Sequence, residues 1–154
     1  MVYRICKSFE IESGHMLSKH PGACRYPHGH SRRIDVVVSS ETLDANEMVC
    51  DFSALKAAIR AVADRFDHAM AMNSRDPLLE QLGAVRERVV VFEGQDPTTE
   101  VLARHVFEGI REAIAGGRVF RDERGRELRL PAALRLERVR VSETSTSWAE
   151  YGVS

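Results

Sequence analysis

Alternating apolar and polar positions predict two strands in the first 40 residues. Between Ile5 and His15 the odd positions are mostly apolar and the even positions are mostly polar, which is typical of a strand with one buried face. From His28 to Val38 the even positions become apolar after an initial run of polar residues, so we expect a second strand there. An antiparallel pairing through the loop of residues 16–27 would place the histidine end of the first strand beside the second.

Apolar residues at helical spacing predict two amphipathic helices. The first spans Asp51–Phe66 and begins with an aspartate placed to cap its first turn. The second begins near Asp96–Pro97, because proline is favoured at the first helical position, and ends at Gly116–Gly117. Shorter patterns predict three strands, at Arg88–Phe92, Leu134–Glu143 and Ser147–Val153. A polar hairpin is predicted over Val119–Leu130, with its turn at Arg124–Gly125. Strands, then helices, then strands indicate an α+β domain with the helices packed on one face of a sheet.

Length and charge narrow the class of protein. The chain has 154 residues, so we expect a single domain over residues 1–154. A net charge of -1 argues against non-specific binding to nucleic acid. The chain contains no apolar run of membrane-spanning length, and its N-terminus lacks the apolar core of a secretion signal, so we expect a cytoplasmic protein without a membrane partner. Three cysteines form no disulfide framework, and we expect all three to be reduced.

Three histidines form a candidate metal site. His28 and His30 flank one glycine and lie on the same side of a strand, about 6 to 7 Å apart. His15 shares the buried parity of its own strand, and three neutral imidazoles leave one tetrahedral position open, as in catalytic zinc sites. A His-x-His pair alone is more often a hydrogen-bonded or solvent-facing couple. His20, in a loop, and His105, on the second helix, have no such parity and are not proposed as ligands.

A cysteine and an acid–histidine pair are candidates for proton transfer. Cys24 precedes the His-x-His pair in a loop, and positive charge from a metal ion and Arg25 would favour its thiolate; by itself it would be an inert loop cysteine. Asp67 and His68 follow the first helix. If the pair faces Cys24, the carboxylate can orient the imidazole and the imidazole can move protons; otherwise it is a solvated helix end.

Charged residues near the ends of the strands are candidates for binding a ligand. Glu143 shares the parity of Val139 and Val141, where a carboxylate needs a cationic or amide-rich partner unless the strand has already ended. Arg32 would supply positive charge near the metal and is a candidate substrate-binding residue, although solvation at the surface is the ordinary position of such a side chain.

These motifs occur in an order that resembles the 6-pyruvoyltetrahydropterin synthase family. The matching segments are Phe9–His15, Cys24-x3-His28-Gly29-His30, Asp67-His68, Pro97–Glu100 and Ser142–Thr144. The gap of three residues after Cys24 is most similar to the 6-carboxytetrahydropterin synthase branch, which makes the queuosine precursor from 7,8-dihydroneopterin triphosphate. The resemblance covers nearly the whole chain.

The resemblance implies a fold and a set of functional residues. The fold would be a tunnelling fold, in which an antiparallel four-stranded sheet carries two helices on one face, three subunits close a barrel and two trimers stack into a homohexamer. Active sites would lie between subunits, and Val119–Leu130 would be an inserted hairpin. The implied roles are zinc binding by His15, His28 and His30, catalysis by Cys24, Asp67 and His68, pterin binding by Glu143, and further substrate contacts by Thr98, Thr99 and Glu100.

The implied reaction is a zinc-dependent lyase reaction that yields 6-carboxy-5,6,7,8-tetrahydropterin, acetaldehyde and triphosphate. A 6-pyruvoyltetrahydropterin synthase, a dihydroneopterin side-chain lyase and a non-catalytic zinc or pterin-binding protein are the alternatives. The chain departs from the family pattern at Ser13–Gly14, where an alanine pair is usual, and at Arg32, where an aromatic or aliphatic residue is common. The segments Arg75–Gln95 and Val119–Leu130 are also longer than in a minimal member.

Overall fold

The first two strands pair along their whole length. In a computed structural model that describes residues 1–154, β1 (Tyr3–His15) and β2 (His28–Ser40) run antiparallel. The register places His15 opposite His28 and Ser13 opposite His30. The predicted antiparallel pairing is therefore confirmed, and it brings the histidine-bearing ends of the two strands together.

The first helix lies where the apolar spacing predicted it. α1 (Phe52–Ala63) is capped by Asp51, whose side chain accepts a hydrogen bond of 2.7 Å from the backbone N–H of Ser53. The chain then tightens into a 3-10 turn over Asp64–Phe66, so the last predicted turn is not α-helical.

Six further strands and a second helix complete the structure. In chain order they are β3 (Ala69–Asn73), β4 (Val89–Phe92), α2 (Thr99–Ala115), β5 (Val119–Arg121), β6 (Glu127–Arg129), β7 (Arg135–Ser142) and β8 (Trp148–Gly152). Short 3-10 segments cover Ala23–Arg25 and Leu79–Arg88. The strands predicted near Arg88–Phe92, Leu134–Glu143 and Ser147–Val153 are confirmed as β4, β7 and β8.

The second helix begins later than the sequence indicated. Thr98 is its N-cap, with a side-chain oxygen that accepts a hydrogen bond of 3.3 Å from the backbone N–H of Val101. Pro97 therefore precedes the helix, and its carbonyl oxygen lies 2.8 Å from Nδ1 of His15. The helix ends as predicted at Gly116, and Gly117 adopts the left-handed conformation that favours glycine, with a φ of 58°.

The main sheet corrects the prediction of an antiparallel four-stranded sheet. It has six strands in the order β4-β3-β1-β2-β7-β8, and it is mixed because β3 runs parallel to β1 and β4 runs parallel to β3. Ala69–Asn73 forms a strand although it contains no β-branched residue. Its pairing to the edge of β1 and its burial override its weak intrinsic preference for the strand conformation.

The core lies between the helices and one face of the sheet. Side chains from β1, β2, β7 and both helices form one buried cluster that includes Ile11, Val36, Ile59, Ile110 and Val139. Each strand turns its alternate, more polar residues to the other face. The α+β class and the packing of the helices on one face are thus confirmed. The histidine ends of β1 and β2 lie on the helix side, at the margin of this core.

The predicted hairpin is confirmed as a separate two-stranded sheet of β5 and β6. Gly125 turns the chain with a φ of 76°, and the Asp122 carboxylate accepts hydrogen bonds of 2.9 Å from the backbone N–H groups of Arg124 and Arg126. Among the helices of the chain, none has the length and apolar character needed to span a membrane.

Candidate metal centre and substrate recess

Three imidazole rings converge at the ends of β1 and β2. The cross-strand register places His15 opposite His28, and His30 lies on the same face two residues further along β2. The ligand nitrogens of the three rings all lie within 4.8 Å of one another, and the Nε2 atoms of His15 and His30 are 3.2 Å apart. This cluster could hold a metal ion.

Hydrogen bonds orient two of the rings toward a shared point. The Nδ1 atom of His15 lies 2.8 Å from the carbonyl oxygen of Pro97, and that of His28 lies 2.8 Å from the carbonyl oxygen of Tyr26. In each pair Nδ1–H donates to the carbonyl, so Nε2 presents its lone pair to the centre of the cluster. Histidine ligands of metals commonly make this second contact.

One nitrogen of the cluster has no protein partner. His28 Nε2 is buried and makes no hydrogen bond, which would cost about 1 to 3 kcal/mol if nothing bound there. A cation among the three Nε2 atoms would satisfy it. Three imidazole nitrogens with one open tetrahedral position suit a divalent metal such as zinc, so the residues present fit the implied metal.

The charge state of the rings also suits a metal. Burial lowers the pKa of His15 to about 4, and the positive charge of Arg32 adds to this effect while the bond to Pro97 opposes it. Burial likewise lowers the pKa of His30. Both rings are therefore neutral at pH 7, which is the form that binds metal ions.

Arg32 lies beside the cluster and is only 1% exposed. Its Nε donates to the hydroxyl of Ser13 at 3.0 Å, and its Nη1 donates to the hydroxyl of Thr99 at 2.9 Å and to the carbonyl of Ser142 at 3.2 Å. Ser13 and Arg32, which both depart from the pattern of the family that the sequence resembles, therefore contact each other. Arg32 does supply positive charge near the candidate metal position, but its side chain is buried inside the protein and not solvated at the surface. Direct contact of Arg32 with substrate stays a prediction.

Glu143 follows the last residue of β7 and points into the same region. One carboxylate oxygen lies 3.8 Å from Nε2 of His30, and the other lies 3.8 Å from Nη1 of Arg32 and accepts a hydrogen bond from Thr99. Burial would raise the pKa of the Glu143 carboxyl, but the bond from Thr99 and the charge of Arg32 outweigh it and hold the pKa below its usual range. Glu143 is therefore an ionised acceptor, and Arg32 is the cationic partner that a carboxylate at this position needs.

Cys24 lies in the 3-10 turn Ala23–Arg25 and is partly buried. The backbone N–H of Leu17 donates to the carbonyl of Cys24 at 3.1 Å and so ties the turn to the residues that follow β1. A recess of about 350 Å³ contains Cys24 and the predicted substrate contacts, which are Thr98, Thr99, Glu100 and Glu143. The structure thus brings the thiol and the carboxylate into one recess.

His68 lines a different recess, which also reaches His30, and Asp67 lies next to His68. Asp67 Oδ2 lies 3.1 Å from Nδ1 of His68, and Asp67 Oδ1 accepts a bond of 2.9 Å from the backbone N–H of Glu12. That bond from Glu12, together with His68, lowers the pKa of Asp67. His68 has a φ of 53°, an uncommon conformation for a non-glycine residue that often marks functional sites. Within one chain, His68 does not line the recess that contains Cys24.

Several contacts of the site were not predicted. The Pro97 carbonyl and the Thr99 hydroxyl act through tertiary contacts that leave no pattern in the sequence. Ser13 did carry a signal, because it is a polar residue at a position of buried parity in β1. The two excluded histidines are elsewhere: His20 lies in the loop by Cys24, and His105 packs on Phe66 and Phe92.

Comparison with known proteins identifies a family. A family model described as 6-pyruvoyl tetrahydropterin synthase matches residues 4–153. The chain is 29% identical to the 6-carboxy-5,6,7,8-tetrahydropterin synthase of Aquifex aeolicus over 98% of each chain. It is 33% identical to the protein of the same name from Synechocystis over 96% of this chain and 91% of the relative. The solved 6-pyruvoyl tetrahydropterin synthase of Caenorhabditis elegans has a similar fold, with a TM-score of 0.66 at 18% identity over 100% of this chain and 97% of its own.

Proposed function

Because the chain belongs to the 6-pyruvoyl tetrahydropterin synthase family, we propose that it is a zinc-dependent lyase. Its proposed substrate is 7,8-dihydroneopterin triphosphate, and its proposed products are 6-carboxy-5,6,7,8-tetrahydropterin, acetaldehyde and triphosphate. Curated relatives that carry the 6-carboxy name match almost the full chain, which favours this product within the family.

The observation that carries the proposal is the cluster of His15, His28 and His30 with Glu143 beside it. The carboxylate lies 3.8 Å from the ring of His30, so a molecule bound to it would lie next to the proposed metal. A metal ion at this position would supply Lewis acidity to the substrate side chain. The remaining steps depend on groups of the protein chain.

Glu143 would bind the amino-pyrimidine edge of the pterin. An ionised carboxylate can accept two parallel hydrogen bonds from a guanidine-like group, and Glu143 is held in that form by Thr99 and Arg32. We propose that the contribution of Arg32 to substrate binding is exerted through this carboxylate, because its own nitrogens are engaged inside the protein. Thr98 and Glu100, at the start of α2, are proposed as further contacts in the same recess.

Cys24 and His68 would move the protons. The Cys24 thiolate would remove a proton from a side-chain carbon of the substrate, and His68 would act as the second acid–base group. Asp67 would hold the His68 ring through the contact of 3.1 Å. Elimination would release triphosphate. The later carbon–carbon cleavage would consume one water molecule, whose oxygen enters the 6-carboxy group, and would release acetaldehyde.

We propose that the two acid–base groups of one active site come from different copies of the chain. Cys24 and His68 line different recesses of the same chain. We therefore propose that the Asp67–His68 pair of one subunit faces Cys24 of another in a homohexamer. A cytoplasmic location and a role in making the queuosine precursor are parts of the same proposal.

Product analysis tests the proposal. Purified protein with one equivalent of zinc is incubated with 7,8-dihydroneopterin triphosphate, and the products are identified by mass spectrometry. The proposal expects equal amounts of acetaldehyde and the 6-carboxy product. A retained pyruvoyl side chain would identify a 6-pyruvoyltetrahydropterin synthase, release of the side chain from unphosphorylated dihydroneopterin would identify a side-chain lyase, and no turnover would leave a binding protein.

A further inference from the structure

Asp96 is a buried carboxylate that the proposed reaction does not use. It is 7% exposed, and its two oxygens accept three hydrogen bonds. Oδ1 accepts from the hydroxyl of Ser18 at 2.6 Å and from the side-chain amide of Asn73 at 2.9 Å, and Oδ2 accepts from the backbone N–H of Lys19 at 2.8 Å. Burial would raise the pKa of Asp96, but these bonds outweigh it and keep the carboxyl ionised at neutral pH.

The three bonds join three segments of the chain that surround the site. Ser18 and Lys19 follow β1, directly after Leu17, whose N–H holds the carbonyl of Cys24. Asn73 is the last residue of β3 and is fully buried. Asp96 itself precedes Pro97, so one carboxylate fixes the end of β3 and the base of the Cys24 loop to the turn before α2.

That turn carries two contacts of the metal centre. The carbonyl of Pro97 accepts from Nδ1 of His15, and Thr99, two residues later, contacts Arg32 and Glu143. The backbone carbonyl of Asp96 also accepts from the N–H of Thr98 at 2.9 Å, which shapes the turn between these contacts. Displacement of Asp96 would therefore shift the group that sets the orientation of His15.

We propose that Asp96 is a positioning residue of the metal centre. It holds the Pro97 carbonyl in contact with His15, and it fixes the position of the Cys24 loop relative to that carbonyl. The inference deepens the proposed function, because the ring that it orients is a proposed zinc ligand. Loss of the groups that orient a histidine ligand commonly weakens metal binding 10- to 100-fold. Asp96 acts through a backbone carbonyl, so we expect the lower end of this range.

A second buried aspartate provides a matched control. Asp76 is 6% exposed, and its carboxylate accepts one hydrogen bond, of 2.9 Å, from the backbone N–H of Leu78 within its own turn. Asp76→Ala therefore removes a buried carboxylate at a similar depth without a contact to the site. Asp96→Asn keeps one oxygen for Ser18 and Asn73 but presents an amide N–H to the N–H of Lys19.

The test measures the zinc dissociation constant of the metal-free full-length protein, by competition with a chromophoric chelator. We expect about tenfold weaker binding in Asp96→Ala, an intermediate value in Asp96→Asn, and a value within about twofold of wild type in Asp76→Ala. Urea unfolding of the same metal-free proteins reports the loss of stability separately. The effect on zinc should exceed that of Asp76→Ala even when the two variants lose equal stability.

Equal zinc affinity in Asp96→Ala and wild type, or equal weakening in Asp96→Ala and Asp76→Ala, would overturn the inference. If Asp96→Ala does not fold, Asp96→Asn decides, and wild-type affinity in that variant would overturn it. A wild-type protein that binds no zinc would overturn the proposed function itself, which separates the two failures.

Discussion

Replacement of Thr99 by valine tests the link between Arg32 and Glu143. The Thr99 side chain is 5% exposed, and its hydroxyl accepts from Nη1 of Arg32 at 2.9 Å and donates to Glu143. Valine has nearly the same shape but neither hydrogen-bonding function. Thr99→Val therefore removes both bonds and leaves the packing at the start of α2 intact.

The expected loss of stability in Thr99→Val depends on the partners that Arg32 and Glu143 keep. Hydrogen bonds to charged groups contribute about 1.5 to 3 kcal/mol each. Arg32 Nη1 keeps the carbonyl of Ser142 at 3.2 Å, and Glu143, whose side chain is 29% exposed, can be solvated in part. We therefore expect Thr99→Val to lower the free energy of unfolding by about 2 kcal/mol at pH 7, nearer to one bond than to two.

The sign of the pH dependence distinguishes this account from a general loss of packing. The bond from Thr99 lowers the pKa of Glu143 in the folded protein, so its stabilisation is present above the unfolded value of about 4.3 and is lost as pH falls through the folded pKa. The difference between wild type and Thr99→Val should shrink below about pH 4.

The assay is urea unfolding of the metal-free proteins at pH 7 and at a pH below about 4. Thr98→Val is the matched control, because Thr98 caps α2 through a neutral contact with Val101 and its loss should not depend on pH. An unchanged stability of Thr99→Val at pH 7, or a difference that is the same at both pH values, would refute the reasoning.

Three further predictions concern catalysis, pH and the sheet. Cys24→Ala should lower turnover about 1000-fold and leave the zinc content unchanged, and retained activity would remove Cys24 from the mechanism. Burial lowers the pKa of His15 to about 4, below its unfolded value, so the metal-free protein should lose up to about 3 kcal/mol of stability to urea as pH falls from about 6.5 to 4; a flat profile would contradict this. Gly152→Ala would bring a Cβ too close to the carbonyl oxygen of Glu137, so it should cost about 1 to 3 kcal/mol of stability in thermal unfolding. An unchanged melting temperature would contradict the pairing of β7 with β8.

The positions of the histidines could be predicted because strand parity is a local property. His15, His28 and His30 share the buried parity of two long strands, and the antiparallel pairing expected through the connecting loop is the one observed. The mixed sheet could not be predicted in the same way. Ala69–Asn73 has a weak strand pattern, and only its contact with β1 decides that it pairs there and in parallel.

The environment of Arg32 shows a second limit of sequence reasoning. The sequence suggested that Arg32 lies near the metal and gave solvation at the surface as its ordinary position. Its burial could not be predicted, because its partners Thr99 and Ser142 lie 67 and 110 positions away along the chain. The separation of Cys24 from His68 is likewise a result of tertiary structure, because both lie in short loops whose direction no periodic pattern sets. Residue type identified Cys24 and His68 as candidates for catalysis, but only the tertiary structure shows that they line different recesses.

The central claim is that three imidazoles hold one divalent metal ion beside Glu143. A crystal structure of the protein incubated with one equivalent of zinc, measured at the zinc absorption edge, tests it most directly. The account predicts a single anomalous peak per chain between the Nε2 atoms of His15, His28 and His30, with the Cys24 sulfur not bound to the metal. No peak at that position, or a peak whose ligands exclude any of the three rings, would contradict it.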